Sequence, residues 1–282
     1  MVNESPATPP RRRIRPTRRG RLVLITGAVL VLAAAAAVLV PLLTGEPKTE
    51  QPRTLVVPEG WRASQVYEAS DKALGEPAGT TRMAVATADL PLPVEAKGNP
   101  EGYLFPATYP ITSGTTPKSL LRYMADTAVN RFGADHITTG AERNNVTVYQ
   151  TVTIASIVQA EADTESDMGK VSRVIHNRLD RGMPLQMDST LNYAMNRSTL
   201  DTTTGDTKID SPYNSYERKG LPPTPIGNPG EQAMVAAISP TPGPWLYFVT
   251  VAPGDTRFTD DYAEQQRNVA EFNRSRRGTG NG

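Results

Sequence analysis

The longest apolar run in the chain covers residues 22–43, and its 22 residues include no charged side chain. A helix of this length measures about 33 Å, which matches the hydrocarbon core of a bilayer. We therefore predict a single transmembrane helix at 22–43. A cleaved signal peptide is the alternative, because small residues occur within the run, but no clear small-x-small site precedes a polar junction.

The charges around this run predict its orientation. Residues 1–21 contain seven Arg and one acidic residue, Glu4, so the positive-inside rule places the N-terminus in the cytoplasm. We expect 1–21 to be a basic cytoplasmic tail and 44–53, which is polar and contains Pro, to be a linker. The protein is thus predicted to be a single-pass protein of the cell membrane, with residues 44–282 outside the cytoplasm.

Beyond the linker, short strand and helix patterns follow one another. Thr54–Val57 is β-branched and precedes a Pro-Glu-Gly turn, while Ala63–Leu74 has helical spacing. We predict that 54–98 forms a small subdomain, which is either a wall-binding module or the entrance to the main domain. Helical spacing recurs over Leu120–Phe132.

The C-terminal part combines a hairpin with a helix. Trp245–Val251 and Thr256–Thr259 flank a Pro-Gly-Asp turn, which predicts two paired strands. A polar helix over Asp261–Asn273 then precedes a flexible Gly/Arg tail at 274–282. Because helices and strands mix without βαβ alternation, we predict an α+β fold with its main domain at 99–273.

Glu101–Ile111 is dense in aromatic residues and is interrupted by Pro106 and Pro110. This composition favours a rigid loop or an edge strand over a helix. Its rings either stack on sugars or pack within the core.

A glutamate continues the apolar stripe of a predicted helix. Ile154, Ile157 and Val158 share one face, and Glu161 takes the next position on it. A carboxyl group in this position loses water, which raises its pKa and lets it act as a general acid. The alternative is that Glu161 only marks the end of the stripe, where it is solvated or paired with an Arg.

Two polar segments follow this helix. A second helix leads into a block that contains Asn177 and Asp188, and the stretch 211–230 is rich in Pro and Gly. Long Pro-stiffened loops in compact domains are usually functional. A disordered insertion is the alternative, against which the aromatic residues Tyr213 and Tyr216 argue.

Composition and charge exclude several classes of function. The chain has no Cys and two His, which excludes disulfides, thiolate metal sites and cysteine nucleophiles and makes a His-rich metal site improbable. Without its N-terminal tail the chain has 23 basic and 28 acidic residues, a net charge of −5. A mildly acidic body is a poor binder of nucleic acid. We predict no metal, no cofactor and no nucleic-acid partner.

The chain resembles the MltG/YceG-like endolytic murein transglycosylases in five segments, which occur in the family's order. They are EGYLFPATYPI (101–111), IASIVQAEA (154–162), VIHNRLDRGMPLQMDST (174–190), SPYNSYERKGLPPTPIGNPG (211–230) and PWLYFVT (244–250).

The resemblance implies a catalytic residue and a domain organisation. The family's catalytic glutamate lies in an A-S-I-V-x-x-E segment, which maps onto Glu161; many members carry a second Glu where this chain has Gln159. A LysM-like subdomain between anchor and catalytic domain is also implied, and here it spans only about 54–98. The partners implied are peptidoglycan glycan strands and cell-wall synthases, since the family is associated with the termination of growing strands.

The activity implied is that of a lyase. A lytic transglycosylase needs one carboxyl group, because the muramic C6 hydroxyl of the substrate acts as the nucleophile and forms a 1,6-anhydro ring. The rival hypotheses are a hydrolase that uses Glu161 with Asp188 or Asp163, and a non-catalytic scaffold that binds the wall. Asp188 is alternatively a helix cap or turn residue. The candidates for holding the glycan are Asn177, Asp188, Tyr213, Asn214 and Tyr216.

Overall fold

The computed structural model describes residues 53–198 and 202–279. The predicted tail at 1–21, the span at 22–43 and nearly all of the linker at 44–53 lie outside the described residues. Within the described ranges, every helix is too short or too polar to serve as a membrane span. These ranges fall in one compact unit, Pro52–Gly282.

Helices and short strands are interspersed along the described chain. Three single turns of 3₁₀ helix also occur, at Val85–Thr87, Val94–Ala96 and Asp206–Lys208. The elements are β1 (Arg53–Val56), α1 (Ala63–Leu74), α2 (Thr80–Ala84), β2 (Thr108–Ile111), α3 (Pro117–Phe132), α4 (Asp135–Arg143), α5 (Val148–Glu161), α6 (Glu165–Asp180), α7 (Asp188–Ala194), α8 (Glu231–Ile238), β3 (Tyr247–Ala252), β4 (Asp255–Thr259) and α9 (Tyr262–Thr279).

The strands form two antiparallel pairs. β1 pairs with β2, with Arg53 opposite Ile111, and β3 pairs with β4, with Tyr247 opposite Thr259. The second pair is the predicted hairpin. Neither pair contains a parallel crossover, so the predicted α+β class is confirmed.

One hydrophobic cluster joins β1, α1, β2 and α3. It contains Val66 of α1, Tyr109 of β2 and Leu121 and Met124 of α3. The cluster therefore includes residues on both sides of position 98, where the sequence predicts a boundary between the subdomain and the main domain. That boundary stays a prediction.

The aromatic residues of the segment 101–111 belong to the core. Tyr103, Phe105 and Tyr109 are buried, and the Tyr109 hydroxyl donates a hydrogen bond to the carbonyl of Phe105 at 2.6 Å. These three rings therefore pack inside the protein, in line with the second reading of this segment.

Helix α5 lies at the centre of the second hydrophobic cluster. Every residue from Thr151 to Val158 is buried, because α4, α6, α7 and α8 contact it from different sides. The sequence predicts an apolar stripe on one face, whereas the helix is enclosed almost all round. Thr147 caps its start by accepting a hydrogen bond from the Gln150 N–H at 3.1 Å, and Glu161 is its last residue.

The Pro- and Gly-rich stretch 211–230 contains no helix or strand, yet side chains of α5 fix its path. The Ile226 N–H donates to Ser156 Oγ at 3.0 Å, and the Gly230 N–H donates to Gln159 Oε1 at 3.0 Å. The stretch therefore runs along the central helix as an ordered loop, as the first reading of the sequence predicts.

Candidate active site

Glu161 ends α5 beside the start of α7. Its Oε1 accepts a hydrogen bond from the main-chain N–H of Ser189 at 3.1 Å. The residue is half-buried, but its carboxyl group lies deep enough for desolvation to be the largest influence on its pKa. The described residues show no ion pair to this carboxyl, so it is not the Arg-paired end of a stripe.

The pKa of Glu161 is raised, and its neighbours have opposing effects on it. Burial is the main cause, since the charged form loses water, and the negative charge of Asp188 adds to the increase. Ser189 lowers the pKa in part through its N–H and its hydroxyl. The Ser189 hydroxyl is buried without a well-aligned hydrogen bond, so the N–H is the better-defined donor. A raised pKa is what a general acid requires.

Asp188 is the first residue of α7, where a negative charge favours the N-terminal end of the helix dipole. Its Oδ1 accepts a hydrogen bond from the Tyr216 hydroxyl at 2.6 Å. Burial and this bond raise the pKa of Tyr216, so its hydroxyl keeps its proton. The structure thus links Glu161, Asp188 and Tyr216, three of the residues that the sequence analysis selects.

Asn177 lies on α6 and binds main-chain carbonyls. Its amide nitrogen donates to Gly243 O at 3.1 Å and to Trp245 O at 2.8 Å. These bonds hold the chain that enters β3. Contact between Asn177 and the glycan stays a prediction, but both donors of the amide are already in use.

Asn214 is fully buried in the long loop. Its amide nitrogen donates to Thr207 O at 3.1 Å and to Ile209 O at 2.9 Å, and its Oδ1 accepts from the Tyr216 N–H at 3.0 Å. The side chain therefore shapes the loop that presents Tyr216. Direct contact with the glycan stays a prediction here too.

Tyr213 lies on the same loop, half-buried. Its hydroxyl is 2.8 Å from Thr224 Oγ1, and its ring packs against Tyr193 of α7 with the ring centroids 4.8 Å apart. The ring thus connects the loop to α7. Its predicted role in holding the glycan remains open to test.

Arg178, which is buried next to Asn177 on α6, has a structural role that the sequence does not predict. Its guanidinium donates to Leu246 O at 2.6 Å, Pro184 O at 2.9 Å and Leu185 O at 2.8 Å. These bonds fix the segment that leads into Asp188. A basic residue in the last turn of a helix is common on any surface, so the sequence carries no signal for this burial.

A second buried carboxyl group, that of Glu101, was also missed. It accepts hydrogen bonds from the Ala63 N–H at 2.9 Å and from the Tyr193 hydroxyl at 3.0 Å. Burial raises the pKa of Glu101 to about 7, although these bonds and the nearby Arg62 lower it in part. Glu101 is the first residue of the aromatic segment 101–111, and an acidic residue that begins a buried segment is the signal in the sequence for its burial.

Potential metal ligands are scattered in the part of the chain that the structure describes. No group of three His, Cys, Asp or Glu residues there is arranged to hold a metal ion.

Comparison with known proteins gives matches over most of the chain. A model described as the YceG-like family matches residues 32–271. An endolytic murein transglycosylase from Streptococcus pneumoniae serotype 2 (strain D39 / NCTC 7466) is 34% identical over 255 residues, which cover 81% of this chain and 46% of that protein. An endolytic murein transglycosylase from Bacillus subtilis (strain 168) is 35% identical over 171 residues, which cover 59% of this chain and 46% of that protein. The chain thus spans less than half the length of these relatives.

A solved structure shares the fold. The crystal structure of the YceG-like protein lmo1499 from Listeria monocytogenes superimposes with a TM-score of 0.67 and 27% sequence identity. The match covers 79% of this chain and 77% of that one.

Proposed function

This chain belongs to the YceG-like family, and on that basis we propose that it is a lytic transglycosylase that cuts the glycan strands of peptidoglycan. Two relatives that bear the name endolytic murein transglycosylase support this activity. The observation that carries the proposal is the desolvated carboxyl group of Glu161, whose raised pKa favours the protonated form. We assign Glu161 as the catalytic acid.

The reaction proceeds in two proton transfers through this one group. Neutral Glu161 gives its proton to the oxygen between N-acetylmuramic acid and N-acetylglucosamine, and the bond from that oxygen to muramic C1 breaks. The Glu161 carboxylate then takes the proton of the muramic C6 hydroxyl, whose oxygen bonds to C1. The products are a strand end with a 1,6-anhydro ring and a free N-acetylglucosamine end, and Glu161 is protonated again. No water is consumed.

The Ser189 N–H has a specific part in this cycle. It donates to Glu161 Oε1, and such a bond strengthens when the carboxyl group becomes charged. It therefore stabilises the carboxylate that exists between the two transfers. The negative charge of Asp188 destabilises the Glu161 carboxylate and thereby favours the return of the proton.

A hydrolase is the second candidate, and the nearness of Asp188 to Glu161 favours it. Two carboxyl groups can share the work of glycoside hydrolysis, in which one is the acid and the other is the nucleophile or the base. Asp188, however, already accepts the Tyr216 hydroxyl. Asp163, the other partner considered, is exposed to solvent.

Product analysis separates these functions. Peptidoglycan digested with the wild-type chain is analysed by mass spectrometry beside digests with Glu161→Gln and, as matched control, Glu165→Gln, an exposed residue at the start of α6. We expect anhydro ends, one water lighter than hydrolysis products, from the wild type and the control. A loss of about 10²–10⁴-fold is expected for Glu161→Gln, because its amide cannot give up a proton to the leaving oxygen.

Three results would reject the proposal. Products that retain the extra water would identify a hydrolase. Cutting by Glu161→Gln at the wild-type rate would exclude Glu161 as the acid, and an absence of cutting by every variant would favour the non-catalytic wall-binding scaffold.

We further propose that 22–43 anchors the protein in the cell membrane and that residues 44–282 face the cell wall. The Arg-rich tail and the apolar run support this orientation. In this position the enzyme would meet nascent strands and cell-wall synthases, and the region 54–98 would act as the LysM-like subdomain that the family implies.

Single cysteines test this orientation cleanly, because the natural chain has none. In intact cells, a membrane-impermeant thiol reagent is expected to label Ser64→Cys, which is an exposed position, and to leave Ser5→Cys unlabelled. Labelling of Ser5→Cys, or protection of Ser64→Cys, would reject the orientation.

A further inference from the structure

A cavity of about 600 Å³ lies at the end of α5 opposite to Glu161. It is bounded by the first turns of α5, the last turns of α6 and the loop at 220–223. Thr153, the wall residue of α5 that comes closest to Glu161 in sequence, precedes it by eight positions, about 12 Å of helix. The cavity is therefore separate from the site described above.

His176 of α6 gives this cavity an unused hydrogen-bond acceptor. The side chain is 5% exposed and lines the cavity. Its Nε2 is 3.0 Å from the carbonyl oxygen of Ala237, and since a carbonyl only accepts, Nε2 carries the proton. Burial lowers the pKa of His176, so the ring is neutral and Nδ1 keeps its lone pair. Within the described residues, Nδ1 has no hydrogen-bond partner.

The charged residues that line the cavity are of one sign, although Arg173 lies near His176 outside the lining. Glu95 and Asp180 stand at its edge, and no Lys or Arg is among the described residues that line it. The C-terminal end of α6 also borders the cavity, and the C-terminal end of a helix favours cations. At the start of α5 the Gln150 N–H is already bound by Thr147 Oγ1 and the Thr147 N–H by Gln150 Oε1. A ligand that fits must bring hydrogen-bond donors and positive charge.

We propose that this cavity is a binding site for a peptide that carries a free amine, namely the uncross-linked stem peptide of the glycan substrate. The proposal rests on the function proposed above, because that function brings peptidoglycan to the protein. In the cavity the amine of the stem meets the acidic edge formed by Glu95 and Asp180, and a peptide N–H meets His176 Nδ1.

Histidine resonances provide a direct test, because the chain has two histidines and His136 is exposed, outside the cavity lining. The full chain with Glu161→Gln, which prevents cutting, is labelled with ¹⁵N in histidine. It is titrated with a disaccharide tetrapeptide that has one free side-chain amine, with the same compound acetylated on that amine, and with chitotetraose. We expect the free-amine compound to shift the Nδ1 resonance of His176 and to leave His136 unchanged.

The acidic edge supplies the matched variants. Glu95→Gln combined with Asp180→Asn is expected to weaken binding of the free-amine compound about tenfold, as the loss of two partly exposed charge contacts predicts. Glu68→Gln combined with Asp260→Asn makes the same change of charge at exposed positions elsewhere and should leave the affinity unchanged. Acetylation of the amine should weaken binding to a similar extent.

Several results would overturn the proposal. These are binding without a His176 shift, equal affinity for the acetylated compound, an equal shift with chitotetraose, or no effect of the Glu95 and Asp180 substitutions. Because binding is measured on a variant that does not cut, these results are independent of the anhydro products that test the proposed reaction. Either hypothesis can therefore fail while the other stands.

Discussion

The proton affinity of Glu161 depends on neighbours that act in opposite directions. Burial raises its pKa most, the charge of Asp188 raises it further, and the donors of Ser189 lower it. Since the proposed reaction needs the protonated form first, activity should fall as the pH rises through the pKa of Glu161. The position of this alkaline limb is therefore a measure of the local electrostatics.

Substitution of Asp188 by Asn tests this dependence. Asp188→Asn removes a negative charge that raises the pKa of Glu161, so we expect the alkaline limb of the rate of anhydro-product formation to move to lower pH. Activity at low pH should be retained to within about tenfold, because the acid itself is intact. The measurement is the rate of product formation between about pH 4 and pH 9 at saturating substrate.

The control for this substitution is Asp163→Asn, an exposed residue two positions beyond Glu161, which should leave the limb in place. If the alkaline limb of the rate in Asp188→Asn stayed at the wild-type pH or moved to higher pH, Asp188 would not raise the pKa of Glu161. Loss of activity at every pH would instead indicate that Asp188 is the second carboxyl group of a hydrolase.

Single residues differ in how far the sequence predicts their roles. The desolvation of the Glu161 carboxyl group could be predicted, because the residue continues an apolar stripe, whereas its catalytic role stays a prediction. The hydrogen bonds of Asn177 could not be predicted, since its amide binds the carbonyls of Gly243 and Trp245, which are 66 and 68 positions away. An amide is equally able to bind a sugar or a main chain, and tertiary placement alone decides between them.

The approach to α7, and with it Asp188, is held by a side chain of the preceding helix, α6. Arg178 of α6 binds the carbonyls of Pro184, Leu185 and Leu246, and so joins the approach to α7 with the approach to β3. The Arg178 guanidinium also lies over the ring of Tyr247, the first residue of β3, at 5.2 Å from the ring centroid. One side chain thus couples three elements.

Replacement of this side chain by lysine should be costly although the charge is kept. Arg178→Lys loses the planar set of donors and leaves buried carbonyls without partners, so we expect the free energy of unfolding to fall by about 2–3 kcal/mol. Activity should fall as well, because the segment that carries Asp188 and Ser189 is no longer fixed. Urea unfolding followed by circular dichroism measures the first effect, and product formation measures the second.

Arg181→Lys is the matched control, because Arg181 is exposed three positions further along the chain. It should change the free energy of unfolding by less than about 0.5 kcal/mol. If Arg178→Lys proved equally mild, the bracing role assigned to Arg178 would be wrong.

Elements with strong local signals could be predicted, and those without could not. The predicted helix at Ala63–Leu74 is confirmed with the same bounds, and the hairpin near 245–259 is confirmed as well. Helices α7 and α8 escaped prediction because they are only 7 and 8 residues long, too short for a periodic pattern to be distinguished from a buried strand. The pairing of β1 with β2 escaped it because the partners are more than 50 positions apart and each strand has four residues.

At the scale of the whole molecule, Glu101 connects the region around α1 with the candidate active site. One carboxyl oxygen accepts the N–H of Ala63, the first residue of α1, and the other accepts the hydroxyl of Tyr193 on α7. Arg62 adds a parallel connection, since its guanidinium donates to Arg197 O at 2.7 Å. The mixed α+β class could be predicted from the succession of elements, but this connection could not, because it joins three distant segments through one buried acid.

The burial of Glu101 makes the stability of the fold depend on pH. Its pKa is about 7 in the folded protein against an ordinary value of 4.5, so the folded state binds more protons than the unfolded state between these values. The free energy of unfolding is then highest below about pH 4.5 for this group and falls by about 3 kcal/mol as the pH rises through 7. Denaturant unfolding from pH 4 to pH 8 measures the slope.

Comparison in a Glu161→Gln background isolates the effect, because Glu161 has a raised pKa of its own. Adding Glu101→Gln should remove the decline between about pH 4.5 and pH 7, since an amide cannot lose the proton whose loss is unfavourable in the folded state. Adding Glu68→Gln, at an exposed position, should preserve the decline. Contributions from His176 and other groups are common to the three proteins and cancel in the difference. Parallel curves for Glu101→Gln and Glu68→Gln would mean that Glu101 is ionised in the folded protein, held by Arg62 and its hydrogen bonds, and that the link between α1 and α7 is insensitive to pH.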